Sequence, residues 1–446
     1  MVPCVAVFDI GKTNKKCILF DHYFNIVHET EARFAEIPDD DGEPCEDVHQ
    51  LTSWLQSTWV ELEGDERFQV LGVNFTTYGA SFVHLDAQNK PATPLYSYLK
   101  PYPQDLEDQF YSRYGDKLTF ATVTASPNLG MLNSGLQLYW LKYKKPELFA
   151  RIKTSLHLPQ YCSFLFSGIR VSEYTSIGCH TGLWNFETSN YHRWVYEENI
   201  LPLLPKITGH VNKFVTTFRQ KRIPAGIGLH DSSSALIPYL KKYTDPFLLL
   251  STGTWGITMN PFSKEILTKT ELQQDCLTYL TYNGHPVKAS RVFIGNEHEV
   301  QVKKLADHFH KPLDYFKIVP FEPAYVPTLA FESTRKEGGV PASVQPVKLN
   351  VQLELSQYET YEEAYHALML KITEPQVEAI RLAAEYDIQD IAYLLVDGGF
   401  CKNRIFIHLL QESFPHLSVV VSDNPQGTAL GAAMMMQVWD PPQESN

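Results

Sequence analysis

The feature that most constrains the fold is a repeated opening: each half of the chain begins with a strand, a short polar turn and a second strand. In the first half, the apolar run at residues 5–8 leads through a polar turn at 9–16 into a strand at 17–20. In the second half, residues 247–250 lead through a Ser/Thr/Gly turn into residues 257–259. Apolar strands and helical patterns alternate after each opening, which is typical of α/β proteins.

The length of the chain also indicates two domains, since 446 residues exceed what one hydrophobic core usually supports. The polar stretch at residues 241–246 lies just before the second opening and is the best candidate for a boundary. We therefore expect an N-terminal domain over residues 1–243 and a C-terminal domain over residues 244–446.

Composition excludes several classes of partner. The excess of 51 acidic over 38 basic residues gives a net charge of −13, which disfavours binding to nucleic acid or to an anionic membrane. No apolar run approaches the length of a membrane span, and the first residues lack a basic signal region. Seven scattered cysteines without a C-x-x-C pair indicate reduced, buried thiols and no zinc site. We expect a cytoplasmic protein, monomeric or homodimeric, that acts on a small molecule.

The first polar turn is a candidate phosphate site. Residues 6–13 come close to the P-loop pattern, but a P-loop opens a helix and this segment leads into a strand. A hairpin turn can still offer backbone N–H groups to phosphate, with lysines supplying charge. Asp9, at a strand end, could hold Mg²⁺ directly or through water. The alternative is a polar turn with exposed lysines. The candidate phosphate residues are Lys12, Thr13, Asn14 and Lys16, with Lys15 as a further source of charge.

The second turn is the counterpart of the first. Gly253 would let backbone approach an anion, and Thr254 with its neighbours offers hydroxyl donors. Farther along, Gly398 and Gly399 follow a strand and precede Asn403, so a flat adenosine could lie against backbone there. The small-residue helix at 427–433 would either allow the same approach or pack tightly against another helix. A plain β-turn is the alternative for the second turn.

Asp231 is the candidate general base. A sugar hydroxyl is a poor nucleophile, so a carboxylate within hydrogen-bond reach must accept its proton as the new P–O bond forms. Asp231 lies in the segment Gly-Leu-His-Asp-Ser-Ser-Ser-Ala, which opens a helical run. The alternative role is a helix cap, and one carboxylate can serve both purposes.

Four segments together resemble the FGGY family of carbohydrate kinases, and within it the rhamnulokinases. They are the first turn from Asp9, the segment containing Asp231, the Ser-Thr-Gly-Thr-Trp turn, and the two late glycine-rich segments, at 397–403 and 427–433. Lys12 and Lys16 depart from the family's first motif, which usually has a small residue and an arginine there. The resemblance implies a two-domain actin-like ATPase (ribonuclease H-like) fold with a cleft between domains. It further implies a sugar site with Asp231 as base and Gly79, Tyr78, His230 and Ser232 around it, and ATP contacts at Thr254 and Gly399.

The expected function is therefore ATP-dependent phosphorylation of a ketose or deoxyketose resembling L-rhamnulose or L-fuculose. Mg²⁺ would be held near Asp9 and Asp231. The N-terminal domain would supply the sugar site and the C-terminal domain most of the nucleotide site. A pentulokinase or glycerol kinase of the same family, and a catalytically weak sugar- or nucleotide-binding protein, stay as alternatives.

Overall fold

The computed structural model describes residues 1–210, 212–326, 349, 351–385, 388–422 and 426–439. Contacts divide the chain into two compact units. Unit 1 comprises Met1–Lys242, Tyr279–His285 and Gln426–Asn446, and unit 2 comprises Tyr243–Thr278 and Pro286–Pro425. The chain therefore returns to unit 1 twice after residue 242, whereas the sequence analysis places a single boundary after residue 243. The division of sugar and nucleotide binding between residues 1–243 and 244–446 stays a prediction.

The strands, in chain order, are β1 (Val2–Ile10), β2 (Lys15–Phe20), β3 (Ile26–Ala32), β4 (Ile37–Pro38), β5 (Pro44–Cys45), β6 (Phe68–Thr77), β7 (Phe82–Leu85), β8 (Thr154–His157), β9 (Trp184–Asn185), β10 (Asn190–Tyr191), β11 (Phe214–Phe218), β12 (Lys221–Ala225), β13 (Leu229–His230), β14 (Phe247–Thr252), β15 (Gly256–Asn260), β16 (Cys276–Leu280), β17 (Pro286–Val292), β18 (Tyr393–Gly398) and β19 (Ser418–Val421).

The helices are α1 (Val48–Gly64), α2 (Gln104–Tyr114), α3 (Lys117–Thr124), α4 (Ser134–Lys144), α5 (Pro146–Arg151), α6 (Leu158–Ser167), α7 (Tyr174–Ile177), α8 (Arg193–Glu197), α9 (Asp231–Lys242), α10 (Lys269–Gln273), α11 (Ile294–Phe309), α12 (Tyr361–Ala383), α13 (Arg404–Ser413) and α14 (Gly427–Met434). Short 3₁₀ turns lie at Gly130–Leu132, Leu201–Leu203, Tyr315–Ile318, Pro323–Tyr325, Leu355–Gln357 and Gly399–Lys402.

The main sheet of unit 1 has the order β11-β12-β6-β1-β2-β3, with β13 also paired to β6. Strand β1 is antiparallel to β2 and parallel to β6. Alternate residues of β1 face opposite sides of the sheet. Ala6 and Phe8 pack in the cluster that contains α1 and α6, whereas Val5 and Val7 pack in the cluster with α14. Because both faces of β1 are covered by other elements, its sequence is an unbroken apolar run.

Unit 2 repeats this layout. Its sheet has the order β16-β17-β15-β14-β18-β19, and the first strand, β14, is antiparallel to β15 and parallel to β18. Leu248 and Leu250 of β14 pack in one buried cluster with Leu368 and Ile372 of α12. The repeated opening seen in the sequence therefore corresponds to two hairpins, each placed beside a parallel strand at the centre of its own sheet.

Two predicted elements differ from the structure in their bounds. The sequence predicts a third strand near Phe24 to His28, but the strand begins at Ile26, because Phe24 takes a positive φ of 63° in the turn after β2. The helix of the candidate base begins at Asp231 itself rather than after it. The sequence predicts loops over residues 320–346, of which 327–346 lie outside the described residues. Among the helices of the described chain, none combines the length and apolar character of a membrane span.

Candidate active site

The first polar turn joins β1 to β2 through four residues. It is closed by a hydrogen bond from the Gly11 N–H to the Asn14 carbonyl, 2.8 Å long. Thr13 is exposed, and the buried Asn14 Oδ1 has no hydrogen-bond partner within the described part of the chain. The turn therefore offers an exposed hydroxyl and an unused amide oxygen near its tip.

The lysines of this turn are held by glutamates. Lys12 Nζ lies 2.7 Å from Glu36, and Lys16 Nζ lies 2.8 Å from Glu29. About a quarter of each lysine side chain is exposed, at 24% and 22%. In the alternative considered from sequence, a polar turn with exposed lysines, these two side chains would be exposed; they are only partly so, because each ammonium has a carboxylate partner.

Lys15 is buried and holds the turn in place through its ammonium group. Its Nζ lies 2.9 Å from Glu46 Oε1 and donates to the Lys12 carbonyl at 3.1 Å. Glu46 also accepts a 2.7 Å hydrogen bond from the Tyr78 hydroxyl. Both members of the ion pair are at least 96% buried. Sequence reasoning missed Glu46, whose burial depends on partners distant in the chain.

Tyr78 therefore cannot offer a free hydroxyl to a sugar. Its backbone N–H donates to the Ile10 carbonyl at 3.0 Å, which ties the end of β6 to the end of β1. Burial and the neighbouring Glu46 carboxylate raise the Tyr78 pKa well above its usual value. The centroid of the Tyr78 ring lies 5.9 Å from Lys12 Nζ, so the first turn lies close to the turn at Tyr78 and Gly79.

Two carboxylates come close in unit 1. Asp9 Oδ2 accepts a 2.9 Å hydrogen bond from Thr428 Oγ1 at the start of α14. Burial, with a smaller contribution from the negative charge of Asp231 and against the lowering effect of the Thr428 hydrogen bond, raises the Asp9 pKa to about 6. Carboxylate oxygens are the ligands that Mg²⁺ prefers, and a cation would relieve this repulsion, so the donor set fits the metal.

Asp231 lies where β13 passes directly into α9. Strand β13 pairs with Thr76 and Thr77 of β6, which fixes the position of His230 beside the end of that strand. Asp231 Oδ1 accepts from the Ser232 N–H at 2.6 Å and from the Ser232 hydroxyl at 3.2 Å. The N–H groups of the first helical turn interact favourably with a negatively charged side chain at this position. The cap and base roles considered from sequence are compatible at this residue.

Gly79 and His230 are in direct contact. A Cβ on Gly79 would lie 2.3 Å from His230 Nε2, so the ring occupies the space that any larger residue would need. The backbone N–H of His230 donates to Thr175 Oγ1 at 2.9 Å, and His230 Nδ1 lies 3.3 Å from Asp231 Oδ1. Gly79, His230, Asp231 and Ser232 therefore form one contiguous group in unit 1.

The second turn is open. Gly253 and Thr254 are exposed, and among the described residues, the two chain neighbours of Gly253 aside, no atom lies within 4 Å of the position that a Cβ on Gly253 would take. The turn is closed by a 2.8 Å hydrogen bond from the Gly253 N–H to the Trp255 carbonyl. Behind it, Thr252 Oγ1 donates to the Asp397 carbonyl at 2.5 Å. Backbone at this turn is accessible to an anion.

The predicted adenosine residues adjoin that turn within unit 2. Gly398 has a φ of +89°, and its ideal Cβ would lie 1.8 Å from the Thr252 carbonyl oxygen, so only glycine fits. Asn403 caps α13 by accepting from the Phe406 N–H at 3.1 Å and donates to the Tyr365 hydroxyl at 2.8 Å. Its side chain is therefore committed to the fold.

The small residues of α14 serve helix packing. A Cβ on Gly431 would lie 1.9 Å from the Ser234 carbonyl oxygen of α9, and the Ala432 carbonyl accepts from Asn74 Nδ2 at 2.8 Å. Of the two explanations considered for the segment 427–433, these contacts within unit 1 support tight packing.

Comparisons with known proteins agree with this architecture. The family model described as the N-terminal domain of the FGGY family of carbohydrate kinases matches residues 4–238, and the model of the FGGY carbohydrate kinase C-terminal domain matches residues 244–337. A rhamnulokinase of Halalkalibacterium halodurans is 26% identical over 259 residues, which cover 56% of this chain and 52% of that protein. The chain thus spans about half the length of the curated relatives it matches.

Solved structures resemble nearly the whole chain. A carbohydrate kinase from Novosphingobium aromaticivorans has a TM-score of 0.79 at 22% identity, covering 98% of this chain and 92% of that one. A ligand-bound xylulose kinase from Lactobacillus acidophilus has a TM-score of 0.72 at 17% identity, covering 98% and 89%. The predicted two-domain actin-like ATPase fold is confirmed. Because the first family model alone spans more than half of the residues, the chain belongs to the FGGY family of carbohydrate kinases.

Proposed function

We propose that this protein is an ATP-dependent sugar kinase that transfers the γ-phosphoryl group to a hydroxyl of a ketose or deoxyketose resembling L-rhamnulose. The observation that carries the proposal is the group Gly79, His230, Asp231 and Ser232, in which a carboxylate at a helix N-terminus stands next to an imidazole and a hydroxyl. Family membership and the likeness to a rhamnulokinase support the same activity.

Asp231 acts as the general base. Its Oδ1 is held by the Ser232 N–H, while about a third of its side chain, 36%, is exposed and can meet an acceptor. The acceptor hydroxyl passes its proton to this carboxylate as the oxygen attacks phosphorus. His230, wedged against Gly79, and the nearby Tyr78 ring orient the sugar.

Each unit carries one turn that we assign to phosphate binding. In unit 1, Lys12, Thr13, Asn14 and Lys16 contribute the turn closed by Gly11. In unit 2, the exposed Gly253 and Thr254 bind ATP together with the backbone of Gly398 and Gly399. Asn403, whose side chain caps α13, contributes only through its backbone. Asp9 and Asp231 would hold Mg²⁺, which supplies charge neutralisation for the phosphates when bound.

The proposal is tested by assaying the protein with a panel of acceptor substrates. Purified protein is assayed for ADP release with L-rhamnulose, L-fuculose, D-xylulose and glycerol at saturating Mg·ATP. We expect the highest kcat/KM with one of the two deoxyketoses. The likeness to a xylulose kinase structure favours D-xylulose as the second candidate, and the highest value with D-xylulose would identify a pentulokinase. ATP binding with no acceptor-stimulated release would contradict the kinase assignment and favour a binding protein.

A further inference from the structure

The short strand that carries His230 is held on one side by another strand and on the other by a side chain. Strand β13 pairs with β6, and no other strand of the described chain pairs with it. The His230 N–H donates instead to Thr175 Oγ1 of α7, at 2.9 Å. Thr175 is completely buried and His230 is 7% exposed. One buried hydroxyl therefore fixes the backbone of the residue that immediately precedes Asp231.

The Thr175 hydroxyl is itself fixed by Glu173. It donates to Glu173 Oε1 at 2.7 Å. The same carboxylate caps the start of α7, where it accepts from the Thr175 N–H at 2.6 Å and from the Ser176 N–H at 2.5 Å. Because an ionised carboxylate only accepts hydrogen bonds, the hydroxyl proton points to Glu173 and the hydroxyl lone pairs face His230. The three residues form one directed chain of hydrogen bonds.

Glu173 is a charge buried within unit 1. Its exposure is 0%, and His210 Nε2 lies 3.2 Å from its Oε2. Burial alone would raise the Glu173 pKa, but His210, Ser176 and Thr175 together lower it below its ordinary value. A helix of four residues could be capped by a neutral serine or asparagine, without the cost of burying a charge. The buried carboxylate therefore indicates a role besides capping.

We propose that Thr175, anchored by Glu173, is a positioning residue that sets the placement of His230 and Asp231 toward the acceptor hydroxyl. The proposal rests on the proposed function for the role of Asp231. Asp231 follows His230 directly in the chain, and its Oδ1 lies 3.3 Å from His230 Nδ1. A shift of the His230 backbone is therefore passed on to the carboxylate, and a misplacement of about 1 Å can slow a reaction about a hundredfold.

Removing one hydroxyl tests the link with little change of side-chain shape. Thr175→Val leaves the His230 N–H without its acceptor, whereas Thr175→Ser keeps a hydroxyl at the same position. We expect the single-turnover rate constant for phosphoryl transfer to fall about tenfold in the valine variant, with unchanged ATP affinity. The serine variant should stay within about threefold of the wild type. Equal rate constants for the two variants would overturn the proposal.

Thr122→Val is the matched control for the loss of a buried hydroxyl. Thr122 lies in α3, is 9% exposed, and its Oγ1 donates to the Leu118 carbonyl at 2.7 Å. We expect a lower melting temperature but the rate constant of the wild type, because a single-turnover rate constant with enzyme in excess reports only the folded molecules. A loss as large as that of Thr175→Val would show a general effect of stability and would overturn the positioning role.

Glu173→Gln tests the anchor. A carboxamide offers one acceptor oxygen, and its NH₂ group would face a donor of Thr175 or Ser176. We expect a loss of rate at least as large as that of Thr175→Val. Because the two residues act in series, the double variant should be no slower than Glu173→Gln alone. Losses that multiply would contradict the chain, and if Glu173→Gln does not fold, the two Thr175 variants decide.

Hydrogen exchange at the His230 amide gives a readout that needs no activity. Deuterium uptake resolved to single residues should be about threefold or more faster at His230 in Thr175→Val, and restored in Thr175→Ser. Unchanged exchange in the valine variant would overturn the link between Thr175 and His230. If the wild type releases no ADP with any acceptor, the proposed function fails, while the exchange rates still decide whether Thr175 holds the His230 backbone.

Discussion

The two hairpin turns share a position in their sheets and differ in chemistry. The turn of unit 1 carries lysines whose ammonium groups are paired with Glu36, Glu46 and Glu29. The turn of unit 2 has no charged residue between β14 and β15, and Gly253 and Thr254 are exposed. The first turn therefore presents charge already balanced by the protein, and the second presents bare backbone. The two proposed phosphate sites therefore differ in chemistry although the fold element is repeated.

The residues just before the ends of β1 and β14 also differ in charge. Asp9 of β1 pairs across the hairpin with Lys16, and Ser251 of β14 pairs with Ile257 at the equivalent position one residue before the end of the strand. Near its end, β1 of unit 1 therefore carries a carboxylate with charged neighbours. Strand β14 of unit 2 carries a hydroxyl there, with apolar and small neighbours. The carboxylate and lysine side chains of the two hairpins are therefore concentrated in unit 1.

The largest expected effect comes from the buried ion pair beneath the first turn. Lys15→Met leaves the buried Glu46 carboxylate without its cation, which costs about 3 kcal/mol. The midpoint of thermal unfolding of unit 1 should fall by about 6 °C. Lys12→Met is the matched control, because the Lys12–Glu36 pair is partly exposed and should change the midpoint little. Equal midpoints for the two variants would show that the first turn does not depend on its buried lysine.

Asp9 gives the next effect, with a defined pH dependence. Because its pKa is raised to about 6, the ionised carboxylate destabilises the folded protein at neutral pH. This cost disappears as the pH falls through 6 and is absent below about 4, the unfolded pKa. Asp9→Asn should therefore raise the free energy of unfolding by about 2 kcal/mol at pH 7.5, without Mg²⁺, and have little effect at pH 4. Urea unfolding at both pH values measures this, and destabilisation at pH 7.5 would contradict it.

Gly253→Ala examines the open turn of unit 2. The new methyl group meets no protein atom, so the melting temperature should not change. It would occupy the space through which phosphate approaches backbone, and ATP affinity should fall about tenfold, or about 1.4 kcal/mol. Calorimetric titration with an ATP analogue measures the affinity. Unchanged binding would mean that this turn contacts no phosphate.

Lys16→Ala is expected to have the smallest effect. Lys16 already shares its charge with Glu29, so its loss should weaken ATP binding by only about threefold. Glu29→Gln frees the ammonium and should tighten binding to a similar extent. If neither substitution changes the ATP affinity, the lysine-rich turn is structural. The two turns would then differ in function as well as in chemistry.

The sequence identified the parts of the fold that depend on local pattern. The apolar runs at residues 5–8 and 247–250 lie in strands. Gly79, His230, Asp231 and Ser232 lie in contact with one another, and their roles stay predictions. The two strands could be predicted from sequence because both of their faces are covered. Asp231 could be predicted as a site residue because it lies in a short polar segment between a strand and a helix.

What the sequence left open depends on contacts distant in the chain. Glu46 becomes buried only because Lys15 and Tyr78 converge on it. The helix α14 could be assigned to nucleotide binding or to packing until Gly431 was seen against Ser234.

The central claim is that Asp231 accepts the proton of the acceptor hydroxyl. The most direct measurement is single-turnover phosphoryl transfer by Asp231→Asn, with the best acceptor of the panel, alongside its ATP affinity and melting temperature. Asparagine has nearly the same shape and cannot take up the proton, so we expect a loss of at least about a hundredfold in rate with the ATP affinity and the fold retained. A rate close to that of the wild type would contradict the account.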